Sequence, residues 1–191
     1  MRSTIRQIRL VLALILCGSA GQAQDWDLMR WLEEPGHEAL MSRIAEPGSA
    51  LAPFETDGCS GGLSGAWRVV SARFPAFAAA HQAAPPWESC CVTHDRAYHN
   101  AGSAADISAS FDARLAADRA LEACVMATQA TRRDELAATY NLTPDQIAWA
   151  YERIAGGMFA AVRLGGRPCT GLPWRWGYGY PACSGLGRLL E

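Results

Sequence analysis

The stretch Cys90–Tyr98 reads Cys-Cys-Val-Thr-His-Asp-Arg-Ala-Tyr and is the most informative part of the sequence. On a helix, positions i, i+3, i+4 and i+7 share one face. That face would carry a thiol, an imidazole, a carboxylate and a phenol, from Cys91, His94, Asp95 and Tyr98. A face used only for packing would carry Leu and Ile instead. Because an unpaired polar group costs about 1–3 kcal/mol to bury, this face needs polar partners.

The next predicted helix supplies a partner for the imidazole. Asp118 shares a helix face with the apolar Phe111 and Val125, whereas Asp112 falls on the polar side. We therefore expect the Asp118 carboxylate to meet His94. A carboxylate beside a histidine fixes the tautomer of the ring and raises its basicity, as a general base requires.

A glycine-rich segment precedes this helix. Residues 57–65 read Asp-Gly-Cys-Ser-Gly-Gly-Leu-Ser-Gly, which predicts a loop whose backbone can approach a ligand closely. If Cys59 is bonded to Cys91, the loop lies one helical turn from Asp95. Backbone carbonyls and a carboxylate are hard oxygen ligands, which suit Ca²⁺. The carbonyls expected at the metal are those of Gly58, Ser60 and Gly62.

The Cys-Cys-x-x-His-Asp-x-x-Tyr pattern behind a Gly-Cys loop resembles the active-site helix of the secreted phospholipase A2 superfamily, over roughly residues 55–125. The resemblance implies a Ca²⁺-dependent esterase that cleaves the sn-2 ester of glycerophospholipids at a membrane surface or micelle. His94 would activate the attacking water, and Asp95 would bind the catalytic Ca²⁺. Asp118 would orient the imidazole, and Tyr98 would hydrogen-bond the Asp118 carboxylate.

The resemblance also implies how the cysteines pair. In the family, the partner carboxylate lies six residues before a cysteine that bonds the first Cys of the motif, and Asp118 lies six residues before Cys124. The implied disulfides are Cys59–Cys91, Cys90–Cys124 and, as the remaining pair, Cys169–Cys183.

The metal loop departs from that of the animal enzymes, which read Tyr-Cys-Gly-x-Gly-Gly. This chain has Gly-Cys-Ser-Gly-Gly at 58–62 and resembles the shorter loop of bacterial members. In those members an acid just before the Cys can join the metal, which makes Asp57 a candidate side-chain ligand. The Ser60 amide would stabilise the oxyanion.

The N-terminus predicts export. Residues 1–23 carry three Arg, then an apolar stretch at 10–16, then small residues, which is typical of a secretory signal peptide cut near Ala23. Cleavage would remove three Arg and no acid, changing the formal charge from −2 to −5, and would leave six of seven cysteines. We therefore expect a secreted or periplasmic protein with three disulfides.

Composition and cysteine chemistry limit the alternatives. With 19% charged residues and an acidic balance, the chain is not expected to bind nucleic acid. A zinc or thiol site is the main chemical alternative, since two cysteines and a histidine on one helix are good soft ligands. It would use Cys59, Cys90, Cys91 and His94. No obligate protein partner is inferred, and at −5 any attraction for phosphate must come from a bound cation.

The fold is predicted to be mainly α, a small disulfide-stapled helical domain of phospholipase A2 type with helical N- and C-terminal extensions. Little or no sheet is expected, because alternating Val/Ile runs are missing. The 24 residues from His94 to Asp118 are also too few for the two-stranded wing of the animal phospholipases. An N-terminal arm at 24–56 would precede the domain at 57–191. That domain would comprise a core at 57–127 and, at 143–191, a C-terminal helix with a disulfide-closed tail.

Helix boundaries follow from caps and breakers. The arm would hold two short amphipathic helices, and the start of the last helix is marked by Thr143 and Gln146 as a capping box. Ser103 and Asp106 suggest a similar start, and Gly102 a C-terminal cap. The predicted helices cover 25–34, 36–45, 67–82 with an interruption at Pro75, 87–101, 103–127 and 144–164.

Two further sets of residues lie outside the motif, namely the aromatic residues of the tail and three histidines. The aromatic residues at 174–180 fit either a rim at a lipid interface or, as the favoured interpretation, a closed loop packed on the core. His37, His81 and His99 are expected to be solvated.

A non-catalytic lipid- or protein-binding module on the same scaffold is the alternative function, but it would not need a base paired with a carboxylate.

Overall fold

The computed structural model describes residues 28–59 and 63–184, which are mostly helical and include no strand. This confirms the mainly α, disulfide-stapled fold. The helices are α1 (28–45), α2 (Leu63–Arg73), α3 (Pro75–His81), α4 (Glu88–His99), α5 (Ile107–Tyr140) and α6 (Pro144–Gly165). The predicted signal peptide with its cleavage near Ala23, and the predicted ligands Ser60 and Gly62, lie outside the described residues.

Helices α4 and α5 run antiparallel and carry the predicted site between them. Cys90 near the start of α4 is bonded to Cys124, whereas His94, one turn later, meets Asp118, further back along α5. A disulfide and a buried hydrogen bond therefore fix the register of the two helices.

Helices α5 and α6 form a hairpin that closes the core. The turn begins at Asn141, whose φ of 53° reverses the chain, and ends at Thr143. The predicted capping box of Thr143 and Gln146 is present. Between the helices lies a cluster of buried side chains that includes Leu121, Val125, Ile147, Tyr151 and Ala155.

Three disulfides are present, and they join the pairs that the resemblance implies, Cys59–Cys91, Cys90–Cys124 and Cys169–Cys183. The tail closed by the last pair packs on α4, where the Gly177 amide donates to the Tyr98 carbonyl at 2.7 Å. Trp176 in this tail is fully buried, so the tail lies on the core as the favoured interpretation predicted. In the described part of the chain, every helix is too short or too polar to cross a bilayer.

The two short helices predicted in the arm are wrong, because α1 is continuous over 28–45 despite Pro35 and Gly36. Glu34-Pro35-Gly36 is a sequence that favours a turn, and tertiary packing overrides this local preference. Glu33, His37 and Leu40 repeat at helical spacing and all point into the interior, with exposures of 2%, 0% and 0%. Leu40 joins a second apolar cluster with Tyr98, Ala101 and Trp176, so this segment packs into the interior of the molecule.

Two boundaries around α5 also differ from the prediction. The N-cap of α5 is Asp106, whose carboxylate accepts from the Ala109 amide at 2.8 Å, whereas Ser103 belongs to a separate 3₁₀ turn over Ala101–Ser103 that contains Gly102. The helix continues to Tyr140 instead of ending near 127. Its last turns find an apolar partner, since Leu136 and Ala137 pack against the core formed with α6.

Candidate active site

The centre of the site is a buried hydrogen bond between His94 and Asp118. His94 Nε2 lies 2.8 Å from Asp118 Oδ1, and the two residues are 6% and 0% exposed. Because an ionised carboxylate can only accept, Nε2 carries the proton, and in the neutral ring Nδ1 keeps its lone pair. The ring is thus oriented with its basic nitrogen away from α5, as a general base requires.

The charges around His94 favour its protonated form. Burial by itself would lower the pKa of His94, but the hydrogen bond to Asp118 and the nearby Asp95 carboxylate outweigh this and raise the pKa above its ordinary value. Asp95 Oδ1 lies 4.0 Å from His94 Nδ1. The imidazole is therefore a stronger base than a free histidine.

The Asp118 carboxylate is held by groups other than the imidazole. The Tyr98 hydroxyl donates to Asp118 Oδ1 at 2.7 Å, as the resemblance implies, and Arg163 NH1 donates to Oδ2 at 2.9 Å. Burial raises the pKa of Tyr98 well above its usual range, so its hydroxyl remains a donor. Both oxygens of the carboxylate are therefore occupied.

An apolar cavity of about 580 Å³ opens directly beside the imidazole. Its polar lining includes His94 and Asp95, and most of its wall is formed by α6 and α4. The apolar lining includes Leu121, Ile154, Met158, Val162, Leu172 and Trp174. A cavity of this size and lining suits an aliphatic chain with one polar group at its end.

Asp95 also borders a second, acidic pocket of about 380 Å³. Its other acidic side chains are Asp57, which was predicted, and Glu55, which was missed although it lies two residues away in the sequence. The Thr56 hydroxyl donates to Asp95 Oδ2 at 2.5 Å and positions that carboxylate. Burial, and next the Asp95 and Asp57 carboxylates, raise the pKa of Tyr178, which lines the same pocket.

The donors around Asp95 suit a hard cation. The acidic pocket offers carboxylate and hydroxyl oxygens from its described side chains, and the nearby Cys59 and Cys91 sulfurs are joined in a disulfide. No three metal-binding side chains converge in this part of the chain. A Ca²⁺ ion would therefore need loop carbonyls as well as Asp95, and of the predicted ones Gly58 is described and lies beside the buried Cys59.

The described start of the glycine-rich loop has a backbone conformation that depends on a glycine. Gly58 has a φ of +84°, and a Cβ there would lie 2.7 Å from Ser64 Oγ and 2.6 Å from the Glu88 carboxylate. Ser64 Oγ in turn accepts from the Cys59 amide at 2.8 Å. The loop can keep this conformation only without a side chain at 58.

We expect Gly58→Ala to lower the free energy of unfolding by at least about 2 kcal/mol, since it adds left-handed strain and a clash. Gly65→Ala is the matched control, because a Cβ at Gly65 in α2 would meet nothing within 4 Å. That control should be neutral or up to about 1 kcal/mol more stable. Urea unfolding of both variants measures the difference, and equal stabilities would contradict this account of the loop.

Sequence reasoning missed a group of buried charged residues behind Asp118. They are Glu33, Arg114 and Arg163, with exposures of 2%, 0% and 4%. The one available signal was Arg114, which lies one helical turn before Asp118 on the same inward face. Glu33 and Arg163 are far away in sequence, so no local pattern could place them here.

The predictions of solvated histidines are wrong for His37 and His99, which are 0% and 5% exposed, while His81 is half-buried and stacks on Tyr140. His37 Nδ1 lies 2.8 Å from Ser110 Oγ, and burial lowers its pKa despite the nearby Glu33 carboxylate. Phe111 of α5 packs against the His37 ring, and Tyr178 of the tail packs against the His99 ring. The neighbours of these two histidines in sequence do not reveal these contacts.

The alternative zinc or thiol site is not supported. Its three cysteines, Cys59, Cys90 and Cys91, all take part in disulfides. An oxidised cysteine offers no thiolate to a metal.

No protein-family model, curated protein or solved structure matches this chain. The phospholipase A2 resemblance therefore rests on the residues of the motif and on the geometry of the site that they form.

Proposed function

We propose that the protein is a Ca²⁺-dependent hydrolase of the phospholipase A2 type, which cleaves the sn-2 ester of glycerophospholipids. The observation that carries this proposal is the buried His94–Asp118 pair, whose imidazole borders an apolar cavity. A purely binding module would gain nothing from burying an imidazole with an oriented lone pair and a carboxylate behind it.

His94 would act first as a base and then as an acid. A water beside Nδ1 adds to the ester carbonyl as Nδ1 takes one of its protons. The C–O bond to the glycerol then breaks, and Nδ1 returns the proton to the leaving alcohol oxygen. The products are a fatty acid and a lysophospholipid. Asp118 remains ionised throughout and stabilises the imidazolium that forms in between.

Ca²⁺, when bound, supplies positive charge that can bind the phosphate and polarise the ester carbonyl. The residues that would hold it are Asp95, Asp57 and the carbonyls of the loop that begins at Gly58, with Ser60 and Gly62 as the further expected donors. Glu55 lies in the same acidic pocket and adds to its negative field.

The two pockets would bind the two ends of the substrate. The acidic pocket with its cation would receive the phosphate headgroup, and the apolar cavity would receive the acyl chain. Asp95 and Trp174 line both, so the ester would lie at their junction, beside His94.

We also propose that the protein works outside the cytoplasm, after removal of residues 1–23. The three disulfides support this, since such bonds persist in oxidising compartments.

A regiospecific assay tests the proposed function. Vesicles of a phospholipid with different sn-1 and sn-2 chains are incubated with the protein and Ca²⁺, and the products are identified by mass spectrometry. We expect free sn-2 acid and the matching sn-1 lysolipid. Binding to the vesicles without release would favour the non-catalytic alternative, and release of the sn-1 chain would contradict the assigned bond.

The cavity predicts a change in acyl preference for Gly157→Leu. Gly157 lines the cavity and a Cβ there would enter open space, so a larger side chain would occupy room for the acyl chain. We expect kcat/KM for long chains relative to short chains to fall roughly tenfold or more. Gly156→Leu is the control, because Gly156 is equally open but does not line the cavity. An equal shift in both variants would refute the assignment of the cavity.

A further inference from the structure

A network of buried charges lies behind the His94–Asp118 pair. Two carboxylates and two guanidinium groups from α1, α5 and α6 form it, namely Glu33, Arg114, Asp118 and Arg163, whose side chains are at most 5% exposed. The formal charges of these four groups cancel. Burial of the set is therefore tolerable, whereas loss of any one member would leave a charge unpaired.

Arg163 at the end of α6 joins the two carboxylates. Its NH1 donates to Asp118 Oδ2 at 2.9 Å, and its NH2 donates to Glu33 Oε1 at 2.6 Å. Because the imidazole and the Tyr98 hydroxyl already occupy Asp118 Oδ1, Arg163 supplies the contact that fixes the second oxygen. Hydrogen bonds to both oxygens therefore fix the orientation of the carboxylate plane.

The other two members hold Arg163 itself. Glu33 Oε2 accepts from Arg114 NH1, so Glu33 is clamped between two guanidinium groups. Arg114 NH2 also donates to the carbonyls of Val162 and Arg163, at 2.8 and 3.0 Å. Arg114 therefore connects the end of α6 to α5, one helical turn before Asp118.

We propose that Arg163 is a positioning residue of the site, which orients Asp118 and through it His94, and that Glu33 of α1 holds Arg163 in place. The inference rests on the proposed function for its kinetic consequences. The N-terminal arm would then contribute to the site through Glu33, although no residue of α1 lines the cavity beside His94.

The first test compares turnover of Arg163 variants on phosphatidylglycerol vesicles with Ca²⁺. We expect Arg163→Gln to lower kcat about 10–100-fold, as is usual when an orienting partner is lost, with KM changed by less than about twofold. Arg163→Lys should recover part of the loss, because the ammonium group keeps the positive charge but lacks the planar fork with which the guanidinium contacts both carboxylates. Arg167→Gln is the control, since Arg167 is exposed and outside the network.

A double variant separates positioning from stability. Arg163→Gln alone leaves two buried carboxylates with one guanidinium and is expected to unfold more easily. Glu33→Gln/Arg163→Gln restores the charge balance with Arg114 and Asp118. We expect the folded double variant to keep a kcat at least about tenfold below wild type. Recovery of the wild-type kcat together with stability would overturn the proposal, as would a KM effect without a kcat effect.

A spectroscopic measurement tests the positioning without turnover. His94 Nε2 donates its proton to Asp118 Oδ1, so a low-field ¹H NMR signal from this proton would report that contact. We expect the signal to move or broaden in the double variant and to stay in place in Arg167→Gln. An unchanged signal in the double variant would overturn the inference. If wild type cleaved no lipid but the signal moved, the proposed function would fail while the positioning role of Arg163 would stand.

Discussion

His94→Gln is expected to lower kcat for fatty-acid release about 10²–10⁴-fold, which is the range of general acid–base catalysis. The introduced amide can still donate to Asp118, but it offers no basic nitrogen toward the cavity. The fold should persist, since Cys90–Cys124 still pins α4 to α5. Release of labelled fatty acid from phospholipid vesicles measures the effect.

His81→Gln is the matched control for this variant. His81 is half-buried, stacks on Tyr140 and lies on α3, away from both pockets. Its activity should remain within about twofold of wild type. If both histidine variants lost activity equally, or neither did, His94 would not be the base.

Removal of Ca²⁺ by a chelator is expected to reduce release roughly 10³-fold, since a Lewis-acid cation contributes several kcal/mol to the transition state. Asp95→Asn should have a similar effect, because it removes the charge of the carboxylate that borders both pockets while keeping its shape. Re-addition of Ca²⁺ should restore fatty-acid release by wild type but not by Asp95→Asn.

Asp112→Asn serves as the control for Asp95, because Asp112 is exposed and pairs with Arg30 on the polar side of α5. Binding of Ca²⁺ can be followed separately by tryptophan fluorescence, to which Trp174 contributes because it lines both pockets. Calcium-independent release by wild type, or an Asp95 variant as active as the Asp112 variant, would show that the acidic pocket does not hold a catalytic ion.

The local part of the site could be predicted because its residues are close in sequence or repeat at helical spacing. His94, Asp95 and Tyr98 lie within one turn and a half of α4, and all three are buried there. Asp118 could be placed because its apolar neighbours on α5 identify the inward face. The Thr143 cap likewise depends only on residues within four positions of each other.

The rest of the site could not be predicted because it is assembled from distant segments. Glu33 and Arg163 are 130 residues apart in sequence and meet only because α1 and α6 pack on the same side of α5. A buried Arg or Glu looks like a surface residue in the sequence, since such side chains are almost never buried without a partner. The continuity of α1 through Pro35 was missed for a related reason, because packing of Leu40 outweighed a local turn signal.

The most direct measurement is release of fatty acid from mixed phospholipid vesicles by the purified protein and by His94→Gln, each with Ca²⁺ and then with excess chelator. We expect fast release only by wild type with Ca²⁺, and release at least about 10²-fold slower in the three other conditions. Wild-type release no faster than that of His94→Gln, across anionic and zwitterionic lipids, would contradict it.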